Sequence, residues 1–106
     1  MATNTPTLFF RGAATTTTTT VLYTVPASTV SVVTNIAVVN TAATSATFTM
    51  GMGPSGAQVA LHTTTTIAAN STIYIDLKQA LNATNTITGG ASATTVSFHI
   101  SGIQQA

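Results

Sequence analysis

The sequence contains no cysteine and almost no charged side chains. Without cysteine, disulfides, thiol catalysis and cysteine-based zinc sites are excluded. Of 106 residues only Arg11, Asp76 and Lys78 are charged, whereas soluble domains carry about 25%. Two basic side chains cannot neutralise a run of phosphates, which argues against nucleic-acid binding. A net charge near zero gives little repulsion between copies, so we expect a protein that is packed against other proteins.

Side chains for catalysis are equally scarce. Asp76 is the only acid in the chain, and paired-carboxylate chemistry needs two. His62 and His99 are candidate metal ligands, His99 the better of the two; metal sites usually take three or four protein ligands, and a trimer could supply three copies of one histidine. The sequence therefore predicts no enzyme, no cofactor and no metal ion.

One glycine pattern resembles a nucleotide-binding motif. Gly51, Gly53 and Gly56 form G-x-G-x-x-G, which binds a pyrophosphate only where a helix begins at the glycines. Here Pro54 interrupts the segment and a threonine-rich stretch follows. These residues predict a hairpin loop instead.

Long apolar runs are absent as well. The longest falls far short of the ~20 residues that cross a bilayer, and the segment Met1 to Phe10 lacks the basic and apolar regions of a signal peptide. We expect a soluble protein without a membrane partner.

What the chain has in abundance is threonine, and it has no glutamate, a composition that favours strands over helices. Alternation is clearest in Thr44 to Met52, where Ala46, Phe48, Met50 and Met52 share one face. With the turn signals between segments, the pattern predicts an all-β fold: a single-domain antiparallel β-sandwich or jelly-roll-like barrel of about eight short strands. The other predicted strands are Val21 to Val25, Thr29 to Asn40, Thr72 to Leu77 and Val96 to Ser101, with weaker candidates at Thr7 to Arg11, Ala57 to Thr65 and Thr84 to Thr88.

Three local patterns carry further expectations. Thr29 to Asn40 is apolar on both faces, with Val30, Val32, Ile36 and Val38 set against Val33, Ala37 and Val39, which is typical of a central strand or of one whose outer face meets a partner. Gly89-Gly90 is predicted to be a turn. Leu77 to Leu81 is the only helix-like stretch, at most one turn.

The chain divides into a short N-terminal segment and one domain. Residues 1–14 are predicted to form an arm or an edge strand, and residues 15–106 the β-sandwich domain. The threonine run Thr15 to Thr20 is predicted to be an exposed linker or edge strand. An ice-binding threonine array would need a repeat that the sequence lacks.

The aromatic residues mostly fit core positions, with two exceptions that suit contacts with other proteins. Tyr74 lies on the polar face of its strand, and Phe10 is next to Arg11 in the N-terminal segment. The predicted partner-binding residues are Phe9, Phe10, Arg11 and Tyr74.

The order of several short motifs resembles small β-sandwich proteins of bacteriophage virions. These are phage head decoration (cement) proteins and related tail or fibre modules. The motifs are Val21 to Ala27 (VLYTVPA), Val32 to Asn40, Ala69 to Leu77, Leu81 to Ile87 and Val96 to Gly102. Relatives often carry an acidic residue where this chain has Ala83-Thr84-Asn85, so a cation site in that turn is not expected here.

The resemblance implies a structural role in the virion. A decoration protein lies on the phage head surface, binds the major capsid protein and copies of itself (a trimer more than a dimer), and is synthesised in the bacterial host cytoplasm. Many copies bound on one lattice act multivalently, so modest contacts per copy add up to strong overall binding. Two alternatives remain: a tail, baseplate or fibre component for host attachment, or an unrelated self-assembling adhesive β domain.

Overall fold

Eight antiparallel strands make up the regular structure of the computed structural model, which describes residues 4–54 and 56–105. No helix forms within these two ranges, as the composition predicts. The strands are β1 (Asn4–Ala13), β2 (Val21–Thr24), β3 (Val30–Asn40), β4 (Ala46–Gly53), β5 (Val59–Ile67), β6 (Ser71–Leu81), β7 (Thr86–Ala91) and β8 (Val96–Gln105).

The strands form two sheets of four. The first sheet has the order β1-β8-β3-β6, and the second has the order β2-β7-β4-β5. Strands therefore pair in a nested way, first with last and fourth with fifth, as when one long hairpin is rolled up. This is a jelly-roll sandwich, and the predicted fold class is confirmed.

The core lies between the sheets and is almost wholly apolar. The predicted inner residues of β4 and the alternating apolar residues of β8 are buried. Phe48 of the second sheet and Phe98 of the first meet edge to face with ring centroids 6.2 Å apart. The largest side chains that are fully buried are Val25, Val33, Ile36, Val38, Phe48, Met50, Ile67, Leu81, Ile87, Val96, Phe98 and Ile100.

Asn40 is a buried polar junction at the end of β3. Its Nδ2 group donates to the carbonyl oxygens of Thr44 at 2.9 Å, Ile67 at 3.4 Å and Ala68 at 3.3 Å. Its Oδ1 atom accepts from the Ala42 amide at 3.1 Å and from Thr95 Oγ1 at 3.4 Å. One side chain thus ties together three stretches of the chain at this end of the sandwich: the loop after β3, the end of β5 and the segment before β8.

The predicted faces of β3 are wrong beyond its middle. The pairing of β3 shifts between Val33 and Asn35 on both neighbouring strands. A bulge at this point reverses which face each residue occupies. Val33 is therefore buried with Ile36 and Val38, while Val30 and Val32 lie on the outer side of the sheet.

Two further predictions of local structure are corrected. Leu77 to Leu81 is not a helical turn, because β6 continues to Leu81 and pairs with Ser31 to Val33 of β3. Gly89-Gly90 is not a turn, because both glycines lie in the buried strand β7. A Cβ atom on Gly90 would collide with the Thr17 carbonyl oxygen, so glycine there makes room for the threonine segment that crosses it.

The threonine run is an ordered turn over β7. The Gly89 and Ala91 amides donate to the carbonyl oxygens of Thr20 and Thr15 at 3.0 and 2.9 Å. Inside the turn, Thr20 Oγ1 donates to the Thr17 carbonyl oxygen at 2.9 Å and lies 2.6 Å from Thr15 Oγ1. These bonds hold the segment against the second sheet.

We expect Thr20→Val to lower the free energy of unfolding by about 1 kcal/mol. Valine keeps the shape of threonine but loses both hydroxyl contacts, and one net hydrogen bond contributes about this much. Urea unfolding measures the change. Thr16→Val is the matched control, since Thr16 is exposed in the same turn. Equal losses in the two variants would show that the hydroxyl contacts of Thr20 do not stabilise the turn.

Candidate protein-binding surfaces

The outward side of the first sheet is built from rows of paired residues. Residues that are paired across neighbouring strands project from the same side of a sheet. We call three of these rows together the outer face: Arg11–His99–Ala37–Tyr74, Leu8–Ser101–Asn35–Asp76 and Pro6–Ile103–Val32–Ala80.

The outer face exposes large apolar side chains. Leu8 is 52% exposed, Ile103 38% and Tyr74 71%. Asp76 lies beside them and accepts a hydrogen bond from Asn35 Nδ2 at 3.2 Å. A group of exposed apolar and aromatic side chains of this kind is typical of protein-binding surfaces.

Two of the four predicted partner-binding residues lie in one row of this face. Arg11 and Tyr74 occupy its two ends, on the edge strands β1 and β6. Only the two intervening strands bring these residues into line, so their alignment is a property of the fold. His99, which the sequence suggested as a metal ligand, lies between them in the same row.

Phe9 and Phe10 do not lie on the outer face. Phe9 is 7% exposed, and its ring packs on Tyr23 with centroids 4.5 Å apart. Phe10 is half-buried and packs against the core. The pairing of β1 shifts between Leu8 and Phe10, and such a bulge changes the alternation of faces. Phe9 therefore belongs to the core of the sandwich, and Phe10 packs against that core.

The N-terminal segment forms an edge strand over its described part. Asn4 to Ala13 pairs with β8 along its length, so these residues are not a free arm. The sequence signal for the outer face was the apolar character of both sides of Thr29 to Asn40. Leu8 and Ile103 had no signal of their own, because isolated apolar residues are common on surfaces.

The two long sides of the sandwich differ in how they are closed. On the β1–β2 side, Phe9 and Tyr23 fill the gap between the sheets, and the Tyr23 hydroxyl hydrogen-bonds Ser31 and Gln104. The β5–β6 side has no such stacked pair and leaves a cleft of about 110 Å³.

This cleft, which we call the open edge, is lined by Met52, Val59, Ala60, Leu61 and Gln79. Val59 is 74% exposed and Leu61 40%. The adjoining strand β5 contains no Asp, Glu, Lys or Arg, whereas natural edge strands are commonly protected by charge. The open edge is therefore a second apolar surface, separate from the outer face.

The remaining candidate sites have structural explanations. His62 packs on Phe48 with ring centroids 5.3 Å apart and contacts Thr65 Oγ1 through Nδ1 at 3.4 Å. It belongs to the second sheet and His99 to the first. Within the part of the chain that the structure describes, no three His, Cys, Asp or Glu side chains cluster as a metal site would require.

The G-x-G-x-x-G segment is a hairpin connection. Gly51 and Gly53 lie in β4, and β5 follows the loop that contains Gly56. In the described ranges there is also no helix of the length and apolarity that crossing a membrane requires.

The outer side of the second sheet carries a shallow groove of about 170 Å³. Hydroxyl and small side chains line it, Thr18, Thr19, Thr49, Gly51 and Thr88 among them. Its walls contain neither an aromatic ring nor a charged group, so it lacks the stacking surface that sugar sites commonly use.

Comparison with known proteins shows likeness of fold alone. No protein-family description matches the sequence, and no curated protein matches it. A solved structure of the T13 particle of infectious bursal disease virus contains a chain that is similar with a TM-score of 0.56 and 8% identity, over 98% of this chain and 30% of the viral one. A chain in the structure of the Gx strain of that virus is similar with a TM-score of 0.53 and 8% identity, over 99% of this chain and 31% of the viral one. The chain thus spans less than a third of the viral chains, and it shares with them a β-sandwich found in virus particles.

Proposed function

We propose that this protein is a virion structural protein that decorates the outside of a bacteriophage head and joins neighbouring major capsid subunits. The observation that carries the proposal is the pair of separate apolar surfaces on a nearly uncharged sandwich. A cement protein needs two contacts, one with the capsid and one with a neighbour. In this proposal the protein is made in the host cytoplasm and resides on the head surface.

The surface chemistry supports a permanent interface. Burying an unpaired charge costs several kcal/mol, and the second sheet has no Asp, Glu, Lys or Arg in its strands. Its hydroxyl groups can instead bond to backbone or side-chain partners. The sparse set of titratable groups supports a role without catalysis.

We assign the capsid contact to the open edge. Strand β5 pairs with β4 on one side only, which leaves backbone groups free to bond with an added strand from a capsid subunit. Val59 and Leu61 would then be buried against that subunit. Similarity of fold to chains of a virus particle supports this role by analogy only.

Head binding tests the proposal. We expect the purified protein to cosediment with heads prepared from phage that lack it, to saturate at a fixed ratio to the capsid protein, and to raise the temperature at which heads disrupt. Val59→Glu should weaken binding by about tenfold or more, because burial of this side chain contributes roughly 1.5–3 kcal/mol. Thr66→Glu is the control, an exposed position on the same strand.

The alternatives give different results. Binding to purified tails but not to heads would establish the tail, baseplate or fibre role. Assembly of the protein alone, with no binding to either particle, would favour a self-assembling adhesive domain.

A further inference from the structure

The outer face is large enough to hold one protein partner. Its four strands have 10 or 11 residues each. With strands ~4.8 Å apart and a rise of ~3.3 Å per residue, the sheet covers about 600 Å². A standard interface buries roughly 800 Å² on each partner. Because surface relief adds to the flat area, a single partner of similar width can cover this face.

Opposite charges stand at the two edges of the outer face. Arg11 is on β1 and Asp76 on β6, separated by three strand spacings or about 14 Å. At that distance the two groups do not pair within one chain. Lys78 follows Asp76 on β6, two residues further from Tyr74, and is exposed on the same side of the strand. The midline between β8 and β3 thus separates an edge with a guanidinium from an edge that carries a carboxylate and, beyond it, an ammonium group.

We propose that a second copy of this chain covers the outer face, related by a twofold axis that runs parallel to the strands along this midline. The rotation places β1 over β6 of the second copy and β8 over β3 of the second copy. Each guanidinium of Arg11 then faces the ring of Tyr74 in the other copy, a favourable cation–π arrangement. Asp76 of that copy lies one row further along, about 6.6 Å, within reach of the arginine side chain.

The same rotation matches the inner strands by size and polarity. Ile103 meets Val32 of the second copy, which buries apolar surface from both chains. His99 meets Ala37, so a large side chain lies over a small one. Ser101 meets Asn35, and the two can hydrogen-bond. In the same row as Ser101 and Asn35, Leu8 meets Asp76 of the second copy, so the favourable partner of that carboxylate is Arg11 of the neighbouring row and not the residue that it faces.

A twofold dimer fits this face better than the trimer that the sequence analysis favoured. A cyclic trimer joins two different surfaces, whereas a twofold interface joins one surface to itself. The charges at the two edges make the outer face complementary to itself under this rotation. The dimer goes beyond the proposed function, since it does not require the head.

Charge exchange tests the pairing on the purified protein. Sedimentation velocity and light scattering, from low micromolar to several hundred micromolar protein, should show a dimer for the native chain. Arg11→Glu places two like-charged pairs at the interface, as does Asp76→Arg, and each variant alone should dimerise about 10-fold more weakly or worse. Mixing the two variants in equal amounts should restore the dimer, because both contacts in the mixed dimer then join opposite charges.

Thr66→Glu, on the second sheet, should leave dimerisation unchanged. Thermal unfolding of all variants separates loss of pairing from loss of fold. A native chain that is monomeric at every concentration would overturn the proposal. A dimer or trimer that is insensitive to both charge reversals, or singly reversed variants that stay monomeric when mixed, would overturn it as well. Since no heads are present, these outcomes are independent of head binding.

Discussion

Gly102→Ala is expected to lower the free energy of unfolding by about 3–5 kcal/mol, most of the stability of a small domain. Gly102 lies in β8 between Thr7 of β1 and Val33 of β3. A Cβ atom there would overlap the Val32 carbonyl oxygen and lie 2.8 Å from Phe9 Cε2. The carbonyl belongs to the backbone of the neighbouring strand, so relief of the overlap requires the sheet itself to shift.

Gly12→Ala is the matched control for this substitution. The position lies in the same sheet, and a Cβ atom there would meet only the Phe10 ring at 3.6 Å, an ordinary contact. We expect a change within about 0.5 kcal/mol, because alanine also restricts the unfolded chain. Urea unfolding followed by circular dichroism compares the two variants. Equal midpoints would show that β3 and β8 do not approach as closely as described.

Asn40→Asp has the second large expected effect, a loss of about 3 kcal/mol or more. Aspartate has nearly the same shape, but its carboxylate has no hydrogen to donate. The side chain is 1% exposed, and an oxygen would replace the amide that now donates to three carbonyl oxygens. A buried charge without a donor is strongly destabilising.

The relative stabilities of two variants at this position test the prediction. Asn40→Ala removes the same hydrogen bonds without adding charge, so it should be less destabilising than Asn40→Asp near neutral pH. Acidification should narrow the difference in the free energy of unfolding between these two variants, because a protonated carboxyl can donate to one carbonyl oxygen. Asn82→Asp, an exposed position, controls for the added charge. If Asn40→Ala proved the worse variant, loss of side-chain volume and not electrostatics would dominate at this site.

Periodicity was a reliable guide in β4. Ala46, Phe48, Met50 and Met52 alternate without interruption at the sequence level, and all four are buried. The prediction of faces failed in β3, because one extra residue in a strand reverses every later position. Nothing in the local sequence marks Thr34 as the place of that residue, nor Phe9 as the place of the bulge in β1. Gly89-Gly90 was wrongly predicted to be a turn for a related reason. The need for glycine at Gly90 comes from the threonine turn, which is distant in sequence and leaves no room for a side chain there.

The candidate surfaces were predictable only in part. The exposure of Tyr74 followed from its place on the polar face of its strand, and the exposure of Arg11 followed from its charge. Their alignment in one row depends on β8 and β3 lying between them, a long-range order that alternation does not encode. The open edge, with Val59 and Leu61, depends on which strands end each sheet and on how the gap between the sheets is filled.

The nested strand order also dictates when the protein can fold during its synthesis. Strand β8 is the last of the eight strands to leave the ribosome, yet it is a central strand of the first sheet and pairs with both β1 and β3. Until it emerges, β1 has no partner in its sheet. Contacts between residues far apart in the sequence form slowly, so the first sheet cannot close before β8 has emerged, and nascent copies on one polysome expose unpaired strands to each other until then.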